Sequence, residues 1–559
     1  MTTDTIYAGR FRAREFLVLT VVLCVFFLFM LGNRPLSVPD EGRYVEIPRE
    51  MVSTGDYLTP RLNGVKYFEK PALFYWLEAF SIKLFGLHEF SLRLWPALFA
   101  VTGCLSVYLA GGRLYGRKSG LFAAVVLATS LLYYAMSRAI LLDMPVSILL
   151  CISLLSFLLG THETPGIKRR MLMWSFYAFA ALAVLTKGLI GLLIPAMVIG
   201  AWILFLGEWR ILRSMYIWSG AALFLLISAP WHIMIGTANP DFFDFYFVRE
   251  HFQRYLTKIE HHYEPPWFFI PVLAGGLFPW SAFLIQAITH SMPSSWRERH
   301  EHRDAFFLAL WAGLVFLFFS ASGSKLVPYI LPVLPPLAIL IGRYLAGAWD
   351  RRDFPGLRAG YAALAFTALA LAAAFIALPR LWSAPEARAL GAAPAVLGTI
   401  LIAGAALTWL MAGRRGTHAA LYSLAACFAV FLLVMNAYSS RLDTRSVKSL
   451  ALTLRPLLRP GDAVAAYKTY YQDLPVYLER RITVVDWRGE LRFGTTIEDT
   501  GQWMIDTPVF WKRWAGPATM YMVTRKKTYD GLLGEGRKGL YLVAGTNENV
   551  LISNKEIKP

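Results

Sequence analysis

The sequence predicts a polytopic α-helical membrane protein that ends in a soluble α/β domain, and three observations predict it. Of 559 residues, 56% are hydrophobic and 16% charged, against about 25% charged in soluble domains. Apolar runs of about 20 residues, the length that crosses a bilayer, recur up to residue 437. Beyond that point they stop, and short apolar segments separated by turn residues take over.

The runs fall at 15–32, 88–111, 119–136, 143–160, 171–187, 189–206, 214–235, 267–288, 305–321, 326–346, 358–378, 392–412 and 417–437. That is about thirteen spans by the length criterion. The first follows a charged start but precedes no small-residue cleavage site, so it stays as a membrane helix. Lys and Arg in short loops mark the inner side. With a cytoplasmic N-terminus, the inner segments hold Arg10, Arg12 and Arg14; Arg113, Arg117 and Lys118; Lys168, Arg169 and Arg170; Arg210 and Arg213; Arg297, Arg299 and Arg303; Arg351 and Arg352; and Arg414 and Arg415. An odd number of spans then puts 438–559 on the outer side, together with two long loops, 33–87 and 236–266. The expected division is a membrane domain over 1–437 and an outer α/β domain over 438–559.

The formal net charge is +18. Much of that excess sits in the inner loops, where it sets topology and meets anionic lipid headgroups, so membrane lipids rather than nucleic acid are the expected partners. Cys24, Cys104, Cys151 and Cys427 all lie in apolar runs with no C-x-x-C spacing, which argues against a disulfide framework or a cysteine metal site. In the tail, "GDAVAAYKTYYQDLPVYLERRITVVDW" reads as strand, helix, strand, and "TMYMVTR" and "YLVAG" read as later strands.

Ionisable residues are costly at membrane depth, so their placement is informative. They gather on the outer face in "VPDEGRY" (38–44), "KYFEKPALFYW" (66–76), "SRAILLDMP" (137–145) and "FVREHFQRYL" (247–256), with "GSKLVPYILP" (323–332) adding Lys325 and Tyr329. Simpler readings stand beside a functional one. Asp40 and Glu41 suit the first turn of a helix, and Asp143 before Met144 and Pro145 suits an N-cap. Lys70, Lys187 and Lys325 can snorkel from span ends. His251 and Arg254 can pair with Glu250. Their joint occurrence on one side favours function, as does the first outer loop of about 55 residues, since loops that long are usually functional or disordered. Its aromatic and aliphatic content points to amphipathic helices roofing a cavity.

"PDEGRYVEIPREM", "YFEKPALFYWL", "SRAILLDMP" and "FVREHFQRYL", in that order, resemble the bacterial lipid A aminoarabinose transferases, relatives of the protein O-mannosyltransferases. The resemblance spans the membrane portion and implies a GT-C-type glycosyltransferase fold with about 13 transmembrane helices. It also implies a reaction in which 4-amino-4-deoxy-L-arabinose moves from an undecaprenyl phosphate donor to a phosphate of lipid A. That lowers outer-membrane negative charge and weakens polymyxin.

On this resemblance Lys70 holds the donor phosphate, with Arg254 and Tyr329 as supporting donors and Lys325 in reserve; cations there also stabilise the leaving group. Asp40 orients sugar and acceptor, Asp143 completes a negative wall, and Glu41 and Arg43 set the loop. Transfer to a hydroxyl needs a general base. A lipid A phosphate is already ionised, so Asp40 matters first as a partner for the sugar's ammonium. Glu69 and His251 can meet across the outer loops around a divalent ion, although two ligands are fewer than the four that zinc usually takes; no cofactor is required. A related transferase acting on protein would restore the base role of Asp40, and a lipid-linked sugar transporter would call for repeat-related halves, which are not visible.

Overall fold

The long apolar runs fold as helices because a backbone in hydrocarbon must satisfy its own hydrogen bonds. The computed structural model describes residues 13–246, 264–349, 351, 354–381, 390–440 and 445–557. Packing divides the chain into two units, residues 1–31 with 93–438, and residues 32–92 with 439–559. The sequence groups 33–87 with the membrane portion by chain order, whereas packing groups it with the C-terminal residues.

Among the described residues, eight helices are long and apolar enough to cross a membrane: Glu89–Tyr115, Asp143–Gly160, Ile217–Ala238, Arg303–Ala321, Val327–Ala348, Leu357–Ala377, Ala393–Arg414 and Thr417–Ser439. The bent pair Phe269–Gly276 and Trp280–Ser291 makes nine if it counts as one span. Each lies on an expected run. The other expected runs are shorter or interrupted. Residues 119–136 break into Arg117–Ala128 and Leu131–Met136, Ile190–Leu206 has 17 residues, and Ala13–Leu28 has 16. Ile167–Lys187 opens on Lys168, Arg169 and Arg170, which dilute its hydropathy. The count of about thirteen is therefore not reproduced by length and composition alone.

Burial sorts these helices. Asp143–Gly160 and Val327–Ala348 are 83% buried over their apolar windows, whereas Ile217–Ala238 is 17% buried. The former are interior. The latter leaves Leu225, Leu226, Ile233 and Met234 exposed, an apolar surface suited to lipid.

In the second unit, the first long loop folds as a helix over Asp40–Thr54, a hairpin of β1 (Arg61–Leu62) and β2 (Val65–Lys66), and a helix over Leu73–Phe85. The hairpin turns on Asn63 and Gly64, both with positive φ (53° and 78°), as a two-residue Asn-Gly turn requires. Asn63 also reaches residues far along the chain. Its Nδ2 donates to the Ile482 carbonyl at 3.0 Å, its Oδ1 accepts from the Ile482 N–H at 3.0 Å, and its own carbonyl accepts from Trp503 Nε1 at 2.9 Å.

The tail forms a mixed sheet of β3 (Ala463–Tyr467), β4 (Thr483–Val485), β5 (Met504–Ile505), β6 (Met520–Arg525), β7 (Tyr541–Gly545) and β8 (Asn549–Ser553), in the order β5-β4-β3-β6-β8-β7. β3 pairs in parallel with β4 and β6, and β4 with β5, while β7 and β8 add antiparallel. Parallel neighbours need a crossover, and the helix Asp473–Leu478 supplies it between β3 and β4. Alternate strand residues Ala465, Tyr467, Met520, Met522, Val550 and Ile552 bury one face against Phe510 and Trp514.

The helix Asp40–Thr54 packs on Asp473–Leu478, and Gly42 is the point of closest approach. A Cβ there would lie 2.6 Å from the Asp473 nitrogen and 2.7 Å from the Gln472 carbonyl carbon. Backbone cannot move aside as a flexible side-chain tip would. Gly42→Ala is expected to destabilise the protein by about 1–3 kcal/mol, the usual range for overpacking, read as a lower thermal midpoint of the detergent-purified protein.

Candidate active site

Two adjacent carboxylates, just before Gly42, have different environments. Glu41 is 2% exposed; it accepts from the Ser37 N–H at 2.9 Å and from Arg34 Nη2 at 2.9 Å. These bonds brace the turn that leads into the helix, and a carboxylate so near a helix start is also favoured by the helix dipole. Asp40, one residue earlier, keeps 53% of its side chain exposed and accepts from Arg43 Nη2. Glu41 holds the helix start; Asp40 is presented outward.

Arg43 donates its other amino group to Glu490 Oε2 at 2.5 Å, and Gln472 Nε2 donates to Glu490 Oε1 at 3.1 Å. Burial works against the charge on Arg43, but the fields of Tyr67, Glu490, Tyr44 and Glu69 together raise its pKa. Burial pushes the Glu490 carboxyl up and Arg43 opposes it, with Glu69 and Asp40 also acting on it. Asp40, Arg43, Glu69 and Glu490 thus form one electrostatic cluster. Glu69 accepts from the Tyr67 hydroxyl at 2.8 Å, and Lys70 Nζ donates to the Glu69 carbonyl at 2.9 Å.

Further along the same helix, Glu46 and Arg49 form a doubly hydrogen-bonded pair at 2.6 Å. Glu50 accepts twice from the Gly64 N–H, at 2.8 and 3.0 Å, which ties the helix to the hairpin. Burial raises the pKa of Glu50, and the neighbouring Glu46 adds to it. Glu78 is fully buried, neither carboxyl oxygen has a hydrogen-bond partner among the described residues, and its pKa is raised by burial and then by Glu41.

In the first unit, Asp143 starts the helix Asp143–Gly160 and Lys187 ends Ile167–Lys187. The two helices pack together and are joined by the short segment 161–166, so their distant ends fall at the same level. Lys187 Nζ donates to Asp143 Oδ1 at 2.5 Å. Each charge also complements the helix end that carries it. Lys187 therefore makes a part-buried pair, where the sequence suggested snorkelling. Its ammonium lies 4.6 Å from the Tyr329 ring centroid, a distance for cation–π attraction. Lys325 is 4% exposed and donates to the carbonyls of Ser322 at 2.7 Å and Glu264 at 2.9 Å. Arg138, in the "SRAILLDMP" stretch, donates to the carbonyls of Phe27 and Phe29.

Asp40, Glu41, Arg43, Glu69 and Lys70 thus lie in the second unit, and Asp143, Tyr329 and Lys325 in the first. His251 and Arg254 lie outside the described residues. Among the described residues, no group of three or more His, Cys, Asp or Glu is arranged to hold a metal ion. Sequence reasoning named Lys187 but not its partner, and it missed Glu490. The Lys187 pairing had a signal, because an acid at the start of one helix and a base at the end of the next fall at the same end of a helical hairpin. Glu490 had none.

Residues 69–234 match the family described as dolichyl-phosphate-mannose-protein mannosyltransferase, and residues 450–554 match the aminoarabinose transferase C-terminal domain. The crystal structure of ArnT from Cupriavidus metallidurans bound to undecaprenyl phosphate superposes with a TM-score of 0.87 at 29% identity, covering 97% of this chain and 99% of that one. Its apo form gives 0.85, covering 97% and 98%. The chain is a multi-pass membrane glycosyltransferase of the GT-C fold. The undecaprenyl phosphate-α-4-amino-4-deoxy-L-arabinose arabinosyl transferase of Pectobacterium carotovorum is 31% identical over 88% of this chain and 89% of its own length. That of Pectobacterium atrosepticum is 29% identical over 92% and 93%. The chain belongs to this arabinosyl transferase family.

Two outcomes follow from these geometries. Lys187→Met strands a buried carboxylate and is expected to cost about 3–5 kcal/mol; adding Asp143→Asn recovers part of it, as thermal unfolding of single and double variants will register. For Glu78, a raised folded-state pKa means that stability is full below its ordinary value near 4.5 and declines as pH rises through the raised value. Glu78→Gln removes that decline. Its thermal midpoint is expected to exceed wild type at pH 8 and to converge with it toward pH 4.5.

Proposed function

We propose that this protein transfers 4-amino-4-deoxy-L-arabinose from undecaprenyl phosphate to a phosphate of lipid A at the periplasmic face of the inner membrane, and so confers resistance to polymyxin and other cationic peptides. The observation that carries this reading is the 31% identity to a named arabinosyl transferase over 88% of the chain. The similarity to a structure bound to undecaprenyl phosphate supports the donor. In this topology residues 438–559 and the loops 33–87 and 236–266 lie in the periplasm.

In the reaction, the bond from the sugar's anomeric carbon to the donor phosphate breaks, a bond from that carbon to a lipid A phosphate oxygen forms, and undecaprenyl phosphate leaves. The acceptor oxygen is already anionic, so no proton need be removed. What remains is to hold the leaving phosphate and the cationic sugar. Lys70 supplies a compact charge to the donor phosphate, with Arg254 and Tyr329 as further donors and Lys325 bracing the loop it already binds. Asp40 suits the sugar's ammonium, because Arg43 takes one of its oxygens while about half of the side chain stays exposed. Asp143 contributes through its pair with Lys187.

The match of residues 69–234 to the mannosyltransferase family supports a second reading, transfer to a protein hydroxyl. There Asp40 would act as general base. Mass spectrometry of lipid A from cells that make the donor separates the two. Wild type is expected to give an aminoarabinose adduct; Lys70→Ala is expected to lower it about 10²-fold, the scale of losing one charge-stabilising donor, and Asp40→Asn to reduce it strongly, both at normal protein levels. An unchanged adduct in both variants would exclude these site assignments, and no adduct from wild type would favour the second reading.

A further inference from the structure

We propose that Glu490 is a positioning residue for Asp40, acting through Arg43, so that the C-terminal part of the second unit takes part in preparing sugar transfer. This rests on the reading of Asp40 given under Proposed function. The guanidinium is a rigid planar fork whose donors point in fixed directions. Once one arm is fixed, so is the other. Glu490 Oε2 takes Nη1 of Arg43 at 2.5 Å, and Nη2 is directed at Asp40.

Glu490 is itself held. It sits in the short helical turn Gly489–Leu491 with 14% of its side chain exposed, and Gln472 Nε2 occupies its other oxygen at 3.1 Å. Gln472 belongs to the same segment against which the Gly42 backbone is pressed. One stretch of chain therefore fixes both the helix that carries Asp40 and Arg43 and the acid that orients Arg43.

The division of Arg43 between two acids has a chemical consequence. An arginine beside a lone carboxylate tends to bind it with both arms. Here the second arm is committed to Glu490, so Arg43 contacts Asp40 through one amino group and steadies it without covering it. Without Glu490, the fork is free to close on Asp40 and occupy the carboxylate that the sugar must meet. Glu490 touches neither donor nor acceptor in this account; it acts through Arg43 alone.

The test is a kinetic cycle on the purified full-length protein in detergent with Glu490→Ala, Glu490→Gln, Arg43→Ala and the Arg43→Ala/Glu490→Ala pair, together with the thermal midpoint of each. Rates are taken as ratios to wild type with whichever polyprenyl-phosphate sugar wild type consumes. A wild type that ignores the aminoarabinose donor would thus overturn the proposed function and leave the ratios readable. Glu490→Ala is expected to lower kcat about tenfold and to raise donor KM as well, because the closed fork covers the carboxylate that the sugar's ammonium meets before and during transfer. Glu490→Gln keeps an acceptor oxygen for Arg43 and is expected to restore most of kcat. In the Arg43→Ala background, Glu490→Ala is expected to cost less than about twofold, because coupled residues are not additive. Wild-type kcat in Glu490→Ala, or the full loss repeated on top of Arg43→Ala, would overturn the proposal. So would a loss that follows the thermal midpoint and is not rescued by Gln.

Discussion

Arg43 binds Asp40 on its own helix and Glu490, which lies 447 residues further along the chain. Much of the second unit is arranged around that guanidinium. Gly42 lets the helix approach the Gln472–Asp473 backbone, Asn63 locks the hairpin to Ile482, and Glu50 ties hairpin to helix. Burying an arginine is tolerable only when its charge is matched; here Nη1 and Nη2 are paired, while Nε has no hydrogen-bond partner among the described residues. Tyr67, Tyr44, Glu69 and Glu490 provide the matching field. The C-terminal residues are therefore built into the same unit as the charged first loop.

The first unit solves a similar problem with different means. A carboxylate and an ammonium at the end of a helical hairpin would each be expensive alone in an apolar bundle. Asp143 and Lys187 neutralise each other at 2.5 Å, and the Tyr329 ring covers the ammonium. Lys325 is held by two backbone carbonyls. These are distinct ways of keeping charge inside a membrane protein.

Local signals in the sequence carried most of the fold. Apolar run length located the helices, and period and turn residues located β3, β4, β6 and β7. Run length could not show that 119–136 breaks near Thr129 or that the pair around Pro279 bends by 103°, because those depend on packing. The resemblance already set Asp40 apart from Glu41, the first toward the sugar and the second setting the loop. What the sequence could not show is how each is held, Glu41 by Arg34 and Ser37 and Asp40 by Arg43, because those contacts exist only in three dimensions. Glu490 and Gln472 were invisible because nothing local marks a partner hundreds of residues away. β5 escaped because a two-residue strand is defined by its neighbours, and β8 is a five-residue strand buried between β6 and β7 whose pairing no local pattern marks.

Family membership makes the chain an arabinosyl transferase, and the proposal adds the acceptor, a phosphate of lipid A. The most direct measurement uses the purified protein with undecaprenyl phosphate-linked aminoarabinose, labelled in the sugar, and lipid A in mixed micelles. The account predicts label in lipid A and release of undecaprenyl phosphate in equal amounts. Donor left intact, or consumed with no label reaching lipid A, would contradict it.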